Sequence, residues 1–148
     1  MNTDRITANF AYHEFERSAK AEQNGLDNTI ASSFDPDQVR DDIRALVENV
    51  LQPIRDAVAE PVSISSGYRS PEVNRLAGGS ATSHHKSGKA ADIYTSGHTP
   101  LQLAQLVIKK ALPFDQMILH DTFLHIGYNP PRNRRQILYD KTYKGKRL

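Results

Sequence analysis

The sequence predicts an α+β fold: one domain in which a small antiparallel sheet carries helices packed on one side. Three observations predict it. An apolar stripe at helical spacing runs from Val39 to Val58, short alternating segments lie at 62–65, 90–94 and 116–139, and no internal repeat interrupts them. A chain of 148 residues buries roughly two thirds of its unfolded surface around one core. Residues 1–148 are therefore read as a single domain, with 1–34 as an N-terminal flap and loop and 141–148 as a basic tail.

Composition narrows the chemistry. The 19 Lys and Arg are interleaved with 17 Asp and Glu, giving a net charge of +2, a balance that does not call for nucleic acid. Cysteine is absent, so there is no disulfide, thiolate ligand or thiol nucleophile, and any metal must rest on His and carboxylate. The segment Met1 to Phe10 carries Asp4 and Arg5 and lacks the apolar run of a signal peptide; no later stretch is long enough to span a bilayer. Synthesis in the cytoplasm without a signal peptide is expected. Nothing resembles a heptad or a large leftover apolar face, so a monomer is expected.

Along the chain, Ala8 to Ser18 brings Phe10, Tyr12 and Phe15 together on a short helix, and the polar stretch Ala19 to Ser33 reads as a connecting loop. Asp35-Pro36 opens the clearest helix, since proline is tolerated in a first turn whose amides have no intrahelical partner. Val39, Ile43, Leu46, Val47, Val50, Leu51, Ile54 and Val58 form its buried stripe, and Pro53 should kink or break it near Leu51. Val62 to Ser65 alternates as a strand. A turn at Ser66-Gly67-Tyr68-Arg69 follows, with Gly67 permitting a sharp bend, and Ser70-Pro71 caps a helix that ends at Gly78-Gly79. Arg69 thus sits where a guanidinium can grip an anion in a bidentate fork; a surface pairing with Glu72 is the simpler alternative.

The chemistry concentrates in Ser83-His84-His85-Lys86-Ser87-Gly88-Lys89-Ala90-Ala91-Asp92. A histidine and a carboxylate seven positions apart, with a glycine between, cannot share one helical turn; they read as a loop entering a strand. Strand parity sets Ala90, Asp92 and Tyr94 on one face and Ala91 and Ile93 on the other. Imidazole and carboxylate both suit a borderline divalent ion, but two ligands leave a site incomplete. Thr99-Pro100 starts a scaffold helix that runs to Pro113. Strands then follow at Gln116–Leu119, Phe123–Tyr128 and Arg135–Tyr139, the first two joined as a hairpin by His120-Asp121-Thr122. In the second, Leu124 and Ile126 share a face while His125 and Gly127 share the other, so His125 is a third ligand candidate and Gly127 leaves room for a substrate. His13 and His98 have no partner visible in the sequence.

These residues carry a resemblance. Ser83-x-His85-x-x-Gly88-x-Ala90-x-Asp92 followed by Leu124-His125-Ile126 resembles the signature of the zinc D-alanyl-D-alanine carboxypeptidase family, which shares its fold with the hedgehog signalling domain. Ser65 to Pro71, Gly78-Gly79-Ser80, Asp115-Gln116 and Asn133 to Gln136 are similar to the family as well. The resemblance implies zinc held by His85, Asp92 and His125, with His85 selected over His84 by register, and a fourth position left for water. It implies Arg69 on the substrate's carboxylate or carbonyl, with Ser83 and Gln116 in substrate binding.

The general base departs from the commonest pattern. Many relatives place a carboxylate three residues before the last ligand, where this chain has Thr122; others place a histidine five residues before it, which is His120. An imidazole near pKa ~6.5 suits the task at neutral pH better than an aspartate near ~3.9, so His120 is the expected base and Asp121 the second choice. The implied activity is hydrolysis of peptidoglycan stem peptides, as a D-Ala-D-Ala carboxypeptidase or a lysin-type endopeptidase. Small size and the absent signal peptide look like the phage-associated members, which reach the cell wall through a virion or on lysis. The alternative is a non-catalytic wall-binding or virion structural module that keeps the fold.

Overall fold

The computed structural model describes residues 4–148; Met1, Asn2 and Thr3 of the expected flap lie outside it. Among the described residues, six α-helices, α1 (His13–Glu16), α2 (Ala19–Asn24), α3 (Pro36–Leu46), α4 (Gln52–Val58), α5 (Pro71–Leu76) and α6 (Pro100–Lys109), accompany five strands. The strands are β1 (Ser63–Ser66), β2 (Ala90–Tyr94), β3 (Gln116–Leu119), β4 (Leu124–Gly127) and β5 (Gln136–Tyr139), arranged in one α+β sheet in the order β1-β2-β4-β3-β5. Among the described residues, no helix is long and apolar enough to cross a membrane.

The core lies on one face of this sheet. Ala91 and Ile93 of β2 and Leu124 and Ile126 of β4 pack there with Ile43, Leu46, Leu51 and Ile54 of the long helical region and Leu103 and Val107 of α6. Period-two alternation places Asp92 and His125 on the opposite face, as parity predicts. Phe10, Tyr12 and Phe15 are all buried, so the N-terminal segment is part of the core it covers.

Three departures from the sequence reading have physical causes. Pro53 does not break the helix outright; the irregularity expected near Leu51 takes the form of a wider π turn over Val47–Leu51, in which the Gln52 amide reaches back to Val47 O, and α4 continues with Pro53 in its first turn. The polar stretch after Ser18 is partly helical, because the Ser18 hydroxyl caps α2 and Gly25, at φ 63°, ends it. The sheet is antiparallel except at one edge, where β5 lies parallel to β3. The chain leaving β4 crosses the start of β3 through residues 128–135, and Arg135 and Gln136 bond back to Phe114 O and Asp115 O.

The histidines without visible partners acquire them through folding. His13 Nδ1 meets Asp4, and His98 Nδ1 lies 2.7 Å from Glu60 Oε2. Nor is the basic tail detached: Arg147 stacks over the Tyr139 ring at 4.4 Å, and the Leu148 amide donates to the Tyr139 hydroxyl.

Candidate metal centre and cleft

The centre is assembled by the pairing of β2 with β4. Asp92 stands directly opposite His125 in that antiparallel register, the relation in which cross-strand side chains touch. His85 comes from a 3₁₀ turn over His84–Ser87, whose Ser83 hydroxyl accepts the His85 amide at 3.2 Å. Gly88 closes that turn at φ 77°, and a Cβ there would sit 3.0 Å from Val39 O and 2.8 Å from an Ile43 carbon, so only glycine lets the loop rest on α3.

The donor atoms converge. His125 Nδ1 lies 2.9 Å from Asp92 Oδ1, His85 Nε2 lies 3.1 Å from the same oxygen, and the two ring nitrogens are 3.2 Å apart. Donors about 2.0–2.1 Å from a tetrahedral zinc stand about 3.3 Å from one another, so this spacing fits such an ion closely. All three side chains are buried, with exposures of 2, 5 and 9% for His85, Asp92 and His125. The remaining nitrogen of His85 is committed: a carbonyl can only accept, so Nδ1–H donates to Gly67 O at 2.7 Å and leaves the Nε2 lone pair free for a ligand role. Burial by itself would raise the Asp92 carboxyl, but hydrogen bonds from His125 and His85 outweigh it while the facing ring nitrogens carry protons, which a bound metal ion would displace, and hold the group well below the usual carboxylate range. The group is therefore ionised, as a metal ligand must be.

Gly67 has a different job from the sharp turn expected of it. A Cβ at this position would lie 2.7 Å from the Phe15 Cα, so glycine is required for close approach of the N-terminal segment. Tyr68 N donates to Phe15 O across the same contact.

Arg69 lies half-buried beside the centre rather than paired with Glu72. Its Nε donates to Ser66 Oγ at 2.9 Å, while Nη1 faces Asn74 Oδ1 and Nη2 faces Asp92 Oδ2, each at 3.4 Å. Asn28, in the stretch that sequence leaves without a role, holds this turn: its amide donates to Glu16 O and Tyr68 O, and its oxygen accepts the Ser70 amide at 2.7 Å.

The triad forms the floor of a cleft of about 930 Å³ whose walls include Arg69, Ser83, His84, Gln116 and His120. Ser83 and Gln116 thus share the cleft with the triad. His120 stacks on Phe123, and burial pulls its imidazole below the usual range, with Asp140 opposing; the neutral form is favoured at neutral pH. Asp121 is not among the lining residues, and its carboxylate instead accepts the Lys144 amide at 2.8 Å. Gly127 does not open onto the cleft either: it admits the backbone of Lys89, whose carbonyl a Cβ would meet at 3.3 Å. His84 turns toward Asp115, with Nε2 3.2 Å from Oδ2. Asp115 is fully buried and clamped by Arg134 through Nε, Nη2 and the backbone amide, each at 2.9 Å. The sequence marks both partners only through the family-like segments Asp115-Gln116 and Asn133 to Gln136, and nothing in it pairs them.

An α+β sheet with a buried His–Asp–His group lining an open cleft is the arrangement of a protein that could hold a metal ion there. The chain belongs to the Peptidase M15 family, whose model matches residues 8–127. Membership implies a metallopeptidase, and peptidases of this family are zinc-dependent. No curated protein matches the chain.

Proposed function

We propose that this chain hydrolyses peptidoglycan stem peptides with zinc as its cofactor, removing a terminal D-Ala or cutting within the stem, and that it acts on the cell wall as a single peptidase domain. The observation that carries this reading is the convergence of His85 Nε2, Asp92 Oδ1 and His125 Nδ1 at the floor of a cleft that also holds Arg69 and His120. A zinc ion held by these three groups would supply Lewis acidity toward the scissile carbonyl and a water of lowered pKa.

The chain's own residues do the rest. Arg69, fixed by Ser66 and Asn74, presents a positive edge for the substrate's carboxylate or carbonyl. Ser83 and Gln116 orient the peptide from the walls. His120, held neutral by partial burial, takes a proton from the attacking water and returns it to the leaving amine. A pure binding module has no use for a proton acceptor beside an open metal position, so catalysis accounts for more of the cleft.

Digestion of purified muropeptides with product masses read by mass spectrometry tests this, with and without chelator. Zinc-dependent loss of a D-Ala or scission of the stem is expected, and the masses identify the bond. Absence of zinc-dependent cleavage of any stem peptide would transfer the chain to the wall-binding or virion structural reading.

A further inference from the structure

The parallel pairing of β5 with β3 places a second group behind His120. The register ends with Leu119 opposite Tyr139. Asp140 N continues the ladder by donating to Leu119 O at 2.9 Å, which sets Asp140 beside His120. One carboxylate oxygen, Oδ2, is tied down by the amide and hydroxyl of Thr142. The other, Oδ1, lies 3.8 Å from His120 Nδ1, an ion-pair separation longer than a hydrogen bond. The imidazole is also held flat, with its ring centroid 4.1 Å from that of Phe123 and the planes 15° apart. One face is covered by Phe123 and Nδ1 is the nitrogen nearest Asp140, which leaves Nε2 for the cleft that both residues line.

We infer that Asp140 is a positioning residue for His120. Its carboxylate selects the tautomer protonated at Nδ1, keeps Nε2 as the proton acceptor, and stabilises the imidazolium formed during turnover. This rests on the reading of His120 as the general base. The balance is that of peptide hydrolysis: Nε2 takes one proton from water as the water oxygen bonds to the carbonyl carbon. The C–N bond then breaks as Nε2–H passes that proton to the leaving nitrogen. The Nδ1 proton stays in place throughout, and Asp140 is not itself protonated. The other titratable groups near the ring are Asp92 on β2 and His125 on β4, both unchanged by substitution at Asp140.

The test combines imidazole ¹⁵N spectra of the zinc-loaded protein with kcat and KM measured across pH. In the unsubstituted protein His120 should show the Nδ1–H tautomer; finding Nε2–H overturns the proposal without any variant. In Asp140→Asn, removing the anion should move the His120 titration and the acidic limb of kcat/KM together to lower pH. In that variant kcat should fall about ten-fold with KM little changed, a part of the 10²–10⁴-fold that general base catalysis supplies. Asp140→Glu should restore part of the loss. A titration and limb that coincide with the unsubstituted protein overturn the role of Asp140. Undiminished turnover by His120→Ala removes the base reading instead, which separates the two failures.

Discussion

Asp92 serves the His–Asp–His group and Arg69 with different oxygens: Oδ1 lies 2.9 Å from His125 Nδ1, and Oδ2 lies 3.4 Å from Arg69 Nη2. The guanidinium is thus held in place independently of the oxygen that faces both imidazoles. Arg69→Ala should leave one zinc per chain, by elemental analysis, while kcat/KM falls about a hundred-fold, mainly through KM. Arg69→Lys should recover little, because an ammonium cannot reach Ser66 and Asn74 at once. Loss of zinc with the substitution would show that Arg69 supports the metal rather than the substrate.

Zinc removal should be visible in stability. A ligand at about a thousand times its dissociation constant adds ~4 kcal/mol, which for a domain of this size is about 10 °C in melting temperature. Chelation should lower the calorimetric midpoint by roughly that amount, and His85→Ala should melt at one temperature with or without chelator. A chelator response in His85→Ala as large as in the parent chain would place the ion elsewhere.

The Asp115–Arg134 clamp sets a dependence on acid. Hydrogen bonds from Arg134, more than the opposing burial, lower the Asp115 pKa from its ordinary value of 3.8. A depressed folded pKa contributes stability that is present above the ordinary value and lost as pH falls through the folded one. The parent chain should therefore lose stability below about pH 4 more steeply than Asp115→Asn. That variant should also be about 2 kcal/mol less stable at pH 7, because three charge-assisted bonds are weakened while half-exposed Arg134 regains water. Urea unfolding at several pH values measures both; parallel acid limbs in the two proteins would refute the linkage.

Asn28 ties the N-terminal segment to the Arg69 turn through three hydrogen bonds, to Glu16 O, Tyr68 O and Ser70 N. Asn28→Ala leaves those backbone groups unpaired and should cost about 2–3 kcal/mol. It should also lower kcat/KM at temperatures where the variant is still folded, since the turn loses its strap. Unchanged kinetics alongside reduced stability would confine Asn28 to folding.

Gly88→Ala tests how the His85 loop is seated. An alanine at φ 77° is strained, and its Cβ would press on Val39 O at 3.0 Å, which is backbone and cannot rotate away. Destabilisation of at least about 2 kcal/mol and a weaker zinc affinity are expected together. Zinc affinity equal to the parent's would mean that the loop adjusts without moving His85.

The sequence by itself determined which side chains could meet on one face. Strand alternation has a period of two, so once Ala91, Ile93, Leu124 and Ile126 are assigned to the core, Asp92 and His125 must project the other way; local chemistry alone also located the caps at Ser70 and Thr99. Tertiary structure decided whatever depends on which strand lies beside which. The parallel placement of β5 brings Asp140 to His120 across twenty residues, and the crossover through residues 128–135 brings Arg134 onto Asp115. Asp121, adjacent in sequence to the candidate base, is carried off to the tail instead. No local pattern encodes these pairings, because they follow from closing loops between distant segments and from packing the common core. The same holds for Gly67 and Gly127: their sequence context suggests a bend and a space, and folding fills both with backbone from elsewhere in the chain.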